Sequence, residues 1–561
     1  MIKEVNLPFD VTLTPVTILR AGELECMYEL GKLRYIRRGN TELLRMIYAP
    51  VRNGYWSTLP YTITNEQIIA GSNNFSIEYT AIYQQETPVY KAYFKIEGKP
   101  DSSIVFSMKG EVLADFQKNR IGLCVHHPIR ECSGQAVIIT RPDGSEFQSV
   151  FPEMVSPHQP FLNIQEMQWT TDDDTTVKIL FEGDIFETED QRNWSDSSYK
   201  TYSTPLHIPF PVNVKAGDTM EQQIKLTAFN NPGNTELLED NIREEKIVFP
   251  KIGYSRAVNQ NKFTEVEIAW LKKIPFHHYR VVIVMANKGW EHELDNALEE
   301  TLVLNTVLEM VVTFSDKFNE EVNALLALLQ EKQSLLYSIL VLQQNKRVTP
   351  GDLLMIVYPL VKKVLPGIQI GYGTDSNFVE LNRNRPANTL FDFVSYSLHP
   401  QAHMVDNRSI LENLDNQPDM ITTAKSFAFG KPVFVSPVTI QDRYRILPDE
   451  RKFTAMEAWW ILVSIQQLSA AASISFCELF GDAGLGKIVK NKNGAMDSIQ
   501  PSPFYDALAA IHLFEPIWII KRYKGKNILL DGLMLENAKG ERLFFKAPEE
   551  IINFRRNASK I

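Results

Sequence analysis

The run RVVIVMANKGWEHELDNALEETLVLNTVLEMVVTF, residues 280–314, decides how the second half of this 561-residue chain folds. After Arg280, VVIVMA (281–286) is six apolar residues, four of them β-branched, the composition of a strand buried on both faces. HELDNALEETLVL (292–304) then spaces its apolar residues at the helical period, and VLEMVVTF (307–314) returns to strand text. A buried strand, an amphipathic helix and another buried strand make a β-α-β unit, which requires parallel pairing.

The same rhythm extends in both directions. Further strand candidates are KIGYS (251–255), LYSILVLQ (336–343), IQIGYGT (368–374), FDFVSYSL (391–398), PVFVSPV (432–438) and SISFCEL (473–479). Amphipathic stretches separate them: TEVEIAWLKK, EEVNALLALLQEKQ, GDLLMIVYPLVKKVL, NLDNQPDMITTAKSFA and AMEAWWILVSIQQLSAAA, with SPFYDALAAIHLF (502–514) last. Thr349-Pro350-Gly351-Asp352 supplies helix-start chemistry, and Pro366-Gly367 stops that helix. Eight alternations between residues 249 and 515 predict a closed (β/α)8 TIM barrel rather than an open doubly wound sheet.

Residues 1–248 read differently. KAYFKIEGK (91–99), SIVFSMKGEVL (103–113), IGLCVHH (121–127), AVIITRPDGSEFQSVF (136–151) and TVKILFEGD (176–184) alternate in polarity and are separated by turn signals. An N-terminal antiparallel β-sandwich is expected, and a mutarotase-like supersandwich would fit its size. TDDD (171–174) reads as a hairpin tip, and His126–His127 as one ring inward and one outward. The tail, 516–561, carries IWIIKRY, NILLDGLMLEN and ERLFFKAP and is expected to form a small C-terminal β segment.

Composition excludes several classes. With 44% hydrophobic and 22% charged residues and no low-complexity run, disorder, collagen and coiled coil are out. Apolar stretches such as VVIVMA (281–286) fall far short of the roughly 20 residues that span a bilayer. The opening MIKEVNLPFDV has no apolar core, so a cytoplasmic setting is expected rather than secretion. A net charge of −10 without a basic stripe argues against nucleic acid and anionic membranes as partners. Four cysteines (Cys26, Cys124, Cys132, Cys477) make no disulfide framework and read as buried free thiols. Nothing in the sequence sets the oligomeric state.

In a barrel of this kind chemistry concentrates at the C-terminal ends of the strands. GTDSNFVELNRNRP places Asp375, Asn377, Glu380, Asn382, Arg383 and Arg385 in one polar loop, which reads equally as a solvated loop tied by salt bridges. SLHPQAH puts Ser397, His399, Gln401 and His403 on one side if the chain stays extended. Strand eight brings Glu478, and the seventh is followed by Thr439, Arg443 and Arg445. Carboxylates, amides, imidazoles and guanidiniums converging on one mouth suit a hydroxyl-rich substrate. In the β-half, EDQRNWSDSSYKTY mixes acids, Arg192, Lys200, Trp194 and tyrosines, a pattern that can line a carbohydrate-binding concavity.

Strands four and seven end without Asp or Glu, against the common retaining-glycosidase pair, although Glu380 and Glu478 could supply one. There is no HExxH or HxH, no G-x-S-x-G elbow, and GDAGLG (481–486) lacks the Lys-Ser/Thr of a phosphate loop. No metal and no cofactor are expected.

The motifs NRIGLCVHHP, SPHQPF, FEGDIFETEDQRNWSDSSYKTY, GTDSNFVELNRNRP, FDFVSYSLHPQAH and VSPVTIQDRYR resemble those of the bacterial D-apionate lactonase (D-apionolactone hydrolase) family, from about residue 30 to 490. The chain departs from it at Asn53 in VRNGYW, where an acid would be expected, and in QDRYR. The resemblance implies a carboxylic-ester hydrolase that opens D-apionolactone to D-apionate in apiose catabolism, with a small sugar lactone as its partner molecule. Lactone opening needs a base for water, an oxyanion donor and an acid for the ring oxygen. Those needs suggest Glu380 as base with Asp375 as substitute, and His399 or His403 as acid or oxyanion donor. Arg383 would pair the oxyanion or carboxylate, with Glu478, Asn382 and Gln401 as hydroxyl binders. Asp190, Arg192, Trp194 and Lys200 would bind substrate if the β-half leans over the barrel mouth. A glycoside hydrolase acting on apiose-containing or related glycans is the alternative activity, and a non-catalytic carbohydrate-binding protein the alternative class.

Overall fold

Alternation drives the first half of the chain into sheets. Phe75–Gln84 buries every second residue, with Phe75, Ile77, Tyr79, Ala81 and Tyr83 facing inward. A computed structural model of the protein describes residues 2–8, 10–230, 242–257, 261–443, 449–481, 484–490, 496–524 and 527–552. Arg445 and the Asp482-Ala483 part of GDAGLG lie outside the described residues, as do residues 553–561 of the expected C-terminal segment. The described residues divide into two compact units.

The β-unit takes Leu13–Arg192 and the stretch from Ser197. Among the described residues it holds a nine-stranded and an eight-stranded antiparallel sheet with a third of three strands. Leu33, Ile36, Leu44, Ile47 and Val125 of the eight-stranded sheet share one core with Ile77, Phe94, Phe106, Ile179 and Leu226 of the nine-stranded one, so the two sheets form a sandwich. TDDD is a hairpin tip, where the Thr171 amide donates to the Thr175 carbonyl at 3.0 Å. IGLCVHH, expected as one strand, is two: Phe116–Ile121 in the three-stranded sheet and Cys124–Pro128 in the eight-stranded one. The break falls at Gly122, whose φ of +158° and close approach to Ser203 and Gln222 leave no room for a side chain. His126 and His127 are both buried. His127 packs against Phe151 and Trp169, and burial holds its imidazole down at about 3.

The second unit contains the closed barrel, with strands Lys251–Ser255, His278–Val284, Val307–Phe314, Leu336–Gln343, Gln369–Asn377, Phe393–Leu398, Val433–Val438 and Ser473–Phe476. Neighbours pair in parallel and the eighth closes on the first, Lys251 opposite Ser473. Helices Glu265–Leu271, Trp290–Leu304, Phe318–Leu329, Gly351–Val364, Gln417–Phe427, Ala455–Gln467 and Pro503–Phe514 fall where amphipathic spacing predicts them. Thr264 opens the first with a capping box to Glu267. At Thr349 the expected cap is absent, because its hydroxyl donates to the Val341 carbonyl at 2.6 Å.

One expected loop is not a loop. Strand five continues to Asn377, and Phe378–Arg383 forms a six-residue helix. Phe378, Val379 and Leu381 are buried, Phe378 against the Tyr396 ring, so three apolar side chains outweigh the polar letters around them. Beyond the barrel, Pro516–Lys524, Asn527–Ile528, Gly532–Asn537 and Arg542–Lys546 join Ile2–Asn6 and Ile242–Val248 in a six-stranded sheet. No helix among the described residues is long and apolar enough to cross a membrane. All four cysteines are free; Cys26, Cys124 and Cys132 are buried as expected, but Cys477 is only half-buried.

Candidate active site

The barrel interior is not wholly apolar. His278 and Arg280 alternate on strand two, Glu309 interrupts strand three, and Ser436 and Ser475 lie on strands seven and eight, all buried. Gly253 on strand one makes room for the His278 ring, which would collide with any Cβ there. Glu309 accepts from Ser475 Oγ at 2.7 Å and from Ser436 Oγ, and lies 3.0 Å from His278 Nε2. Strands three and seven are not neighbours, so the Glu309–Ser436 bond crosses the lumen. Burial alone would raise the Glu309 carboxyl, but the hydrogen bond and charge of His278, with the Arg280 guanidinium, outweigh it and hold it at about 2.

Arg280 carries this column to the mouth. Its Nε donates to Ser436 Oγ at 2.9 Å and its Nη2 to Asp375 Oδ1. Arg443, after strand seven, donates Nη1 to both Asp375 oxygens at 3.3 Å and Nη2 to the Asp375 carbonyl. Asp375 is therefore clamped between two guanidiniums, which gives it the place of an anchor at the mouth. Sequence reasoning named Asp375 and Arg443 but passed over His278, Arg280, Glu309, Ser436 and Ser475. The available signal was charge at alternate positions of strands that are otherwise continuous apolar runs.

The other expected site residues separate into groups. Glu380 lies half-buried on the helix after strand five, and Glu478 half-buried in the turn after strand eight. Burial and the Glu478 charge push the neighbouring Cys477 thiol up to about 11, so it is protonated at neutral pH and no ready nucleophile. Arg383 is exposed. Strand six ends at Leu398, and the chain then turns: the Gln401 amide donates to His399 Nδ1 at 3.4 Å. The Gln401 side chain leaves that side, bonding the Ile440 carbonyl and Asp449 Oδ2, each at 2.6 Å. Asp449 is paired in turn with Arg451, which holds its carboxyl below the usual range despite burial.

The barrel-bearing unit also includes the tetrapeptide Asn193–Asp196. Asn382 donates to Asn193 Oδ1 at 2.9 Å and accepts from Arg385 Nη2 at 2.7 Å. Trp194 meets the His403 ring edge-on, with centroids 5.9 Å apart. His403 Nδ1 lies 2.5 Å from Asp196 Oδ2, a contact no spacing in the sequence announced.

Asp190, Arg192 and Lys200 lie in the β-unit. Arg192 and Asp190 form a fully buried two-point pair at 2.9 and 2.7 Å, and Arg192 also donates to the carbonyls of Pro152 and Glu153. Lys200 pairs with Glu189 and sits over the Tyr202 ring. These groups are engaged within their own unit. A cavity of about 410 Å³ lined by Lys425, Gly430–Val433 and Ala470–Ala472 opens where strands seven and eight begin, at the barrel end opposite the mouth. Among the described residues no group of three or more His, Cys, Asp or Glu side chains could hold a metal ion.

Comparison with known proteins bears on this arrangement. Residues 8–231 match the D-apionate lactonase N-terminal domain and residues 252–514 the D-apionate lactonase TIM barrel domain. A D-apionate lactonase of Brucella anthropi is 27% identical over 447 residues, covering 76% of this chain and 73% of that protein. Among solved structures, a family 39 glycoside hydrolase from Bacteroides cellulosilyticus WH2 overlaps with a TM-score of 0.37 at 10% identity, covering 76% of this chain and 87% of that one. A family 51 α-L-arabinofuranosidase from Bifidobacterium longum gives 0.40 at 10% identity, covering 52% and 80%. Similarity at that level carries no weight for fold or activity. With both of its large domains matched in order, this chain belongs to the D-apionate lactonase family.

Proposed function

We propose that this protein hydrolyses a sugar lactone, D-apionolactone to D-apionate, as a step in apiose catabolism. The observation that carries this reading is the match of both domains to the D-apionate lactonase family, together with the Brucella anthropi relative. The barrel mouth offers the chemistry required. Glu380 takes a proton from water as the water oxygen bonds to the lactone carbonyl carbon. The carbonyl oxygen becomes an oxyanion, which Arg443, oriented by Asp375, stabilises. When the intermediate collapses, the bond to the ring oxygen breaks, and a histidine of the segment after strand six, His399 or His403, supplies that oxygen with a proton. The net reaction converts lactone and water into a hydroxycarboxylate and a proton. In this reading Glu478 binds a substrate hydroxyl and the exposed Arg383 pairs with the new carboxylate.

Proton release on mixing with D-apionolactone, other aldonolactones and, as a control, aryl glycosides tests the reading. Acceleration is expected on D-apionolactone above the other lactones. No acceleration on any lactone overturns it, and chromophore release from aryl glycosides alone would establish a glycosidase instead. Glu380→Gln should lower kcat by about 10²–10⁴-fold with the fold intact; a wild-type rate would remove Glu380 from the mechanism.

A further inference from the structure

Asp196 has no role in the reaction as written above, yet it is 4% exposed and in contact with one of the two candidate acids. Its Oδ2 lies 2.5 Å from His403 Nδ1, and its Oδ1 accepts from Asn413 Nδ2 at 3.2 Å. The same Asn413 nitrogen reaches the Pro400 carbonyl at 3.0 Å, which ties Asp196 to the backbone just before His403. Trp194 meets the ring edge-on. From its far side the segment is pinned by Gln401 on Asp449, and by Arg451 on the Val405 carbonyl at 2.7 Å. An imidazole held this firmly, with a buried carboxylate on one nitrogen, has a defined tautomer and orientation.

We propose that Asp196 is a positioning residue that makes His403 the general acid of the reaction. This rests on the lactonase reading and chooses between the two histidines it left open. A carboxylate has no proton to give at that distance, so Nδ1 must carry the hydrogen, and the proton exchanged with substrate resides on Nε2. The negative charge of Asp196 stabilises the imidazolium, the form that can donate. As the carbon–oxygen bond of the lactone breaks, the electron pair goes to the ring oxygen and the Nε2 proton follows it. His403 is left neutral with its hydrogen on Nδ1, still donated to Asp196, and solvent restores the Nε2 proton. The uncharged Trp194 meets one edge of the ring, and the Asp196 carboxylate is hydrogen-bonded to its Nδ1. The passage NWSD, read from the sequence as part of a sugar-lining stretch, thus supplies the reaction through Asp196.

Asp196→Asn keeps the shape and removes the charge. It is expected to lower kcat by about 10²-fold, with KM changed less than about threefold. His403 then loses its proton more readily, so the alkaline limb of the kcat/KM profile moves to lower pH, by about one unit. His403→Gln should lose a similar factor in kcat and abolish that limb. Wild-type kcat and an unmoved limb in Asp196→Asn, with folding verified by thermal melting, would overturn the proposal. So would a full effect in His399→Gln and none in His403→Gln. If wild-type protein opens no lactone, the lactonase reading fails by itself, and ¹⁵N spectra of the histidines judge the pair separately. A proton fixed on Nδ1 of His403 in wild type and redistributed in Asp196→Asn supports the positioning; a hydrogen on Nε2 alone in wild type overturns it.

Discussion

Each unit of this protein buries an arginine against a glutamate, and the two pairs are built in opposite ways. In the β-unit, Arg34 and Glu29 belong to adjacent strands of one hairpin, Leu24–Glu29 and Lys32–Arg38, with Nε 2.6 Å from the carboxylate. In the barrel, Arg280 lies 3.6 Å from Glu309 of the next strand, bonds Ser436 from across the lumen, and ends on Asp375 at the mouth. The first pair is made by residues five apart in sequence and ties the two strands of its own hairpin. The second is assembled from four segments, so it transmits the closure of the barrel to the position of Asp375 and Arg443. Both are costly to break, because removing one partner strands a buried charge. They differ in what else is lost.

Arg280→Met offers the largest expected effect. It should reduce stability by about 3–5 kcal/mol and, at a temperature where the variant is folded, lower kcat/KM by at least about tenfold as Asp375 and Arg443 lose their reference point. Urea unfolding and steady-state lactone hydrolysis give the two readings. A variant destabilised to that extent but fully active would show that the column is only structural.

Arg34→Met is the matched control. The same loss of about 3–5 kcal/mol is expected, with kcat per folded molecule within about twofold of wild type. A comparable fall in turnover would erase the distinction between the two pairs.

Much of this contrast is written in the sequence, but unevenly. The barrel is legible because its strands, buried on both faces, read as apolar runs, and its helices carry a helical apolar period. The sandwich is legible through alternation and through turns such as TDDD. The break at Gly122 and the short helix Phe378–Arg383 are not, since each depends on tertiary packing: Ser203 and Gln222 against the glycine, Tyr396 against Phe378. Among the candidate site residues, the strand ends offer Asp375, Glu380, His399 and Glu478, because a barrel of this kind places the residues that follow its strands near the mouth. Reading the strand ends misses His278, Arg280 and Glu309, which sit inside strands, where polar letters are easily passed over as interruptions. Asp196 and His403 are 207 residues apart, and only the fold brings them together.

Acid separates the two units with the smallest effect. Glu309, depressed from 4.5 to about 2, contributes stability that is present above pH 4.5 and lost as pH falls toward 2. His127, depressed from 6.5 to about 3, acts earlier. Below pH 6.5 the unfolded chain binds a proton that the buried ring refuses, so its share of stability falls as pH drops from about 6.5 to 3. Between pH 7 and 5 this amounts to about 2 kcal/mol. Glu131, pushed by burial up to about 7, works in the opposite sense across part of that range, since the folded state there holds a proton that the unfolded chain has lost. The informative quantity is therefore the difference between wild type and His127→Gln, which keeps a partner for Thr201, now 2.8 Å from the imidazole. Urea midpoints followed by tryptophan fluorescence, with Trp169 against the ring as reporter, should fall less steeply from pH 7 to 5 in the variant. Parallel slopes would mean that His127 is protonated in the folded protein, and the acid sensitivity of the β-unit would then have to originate elsewhere.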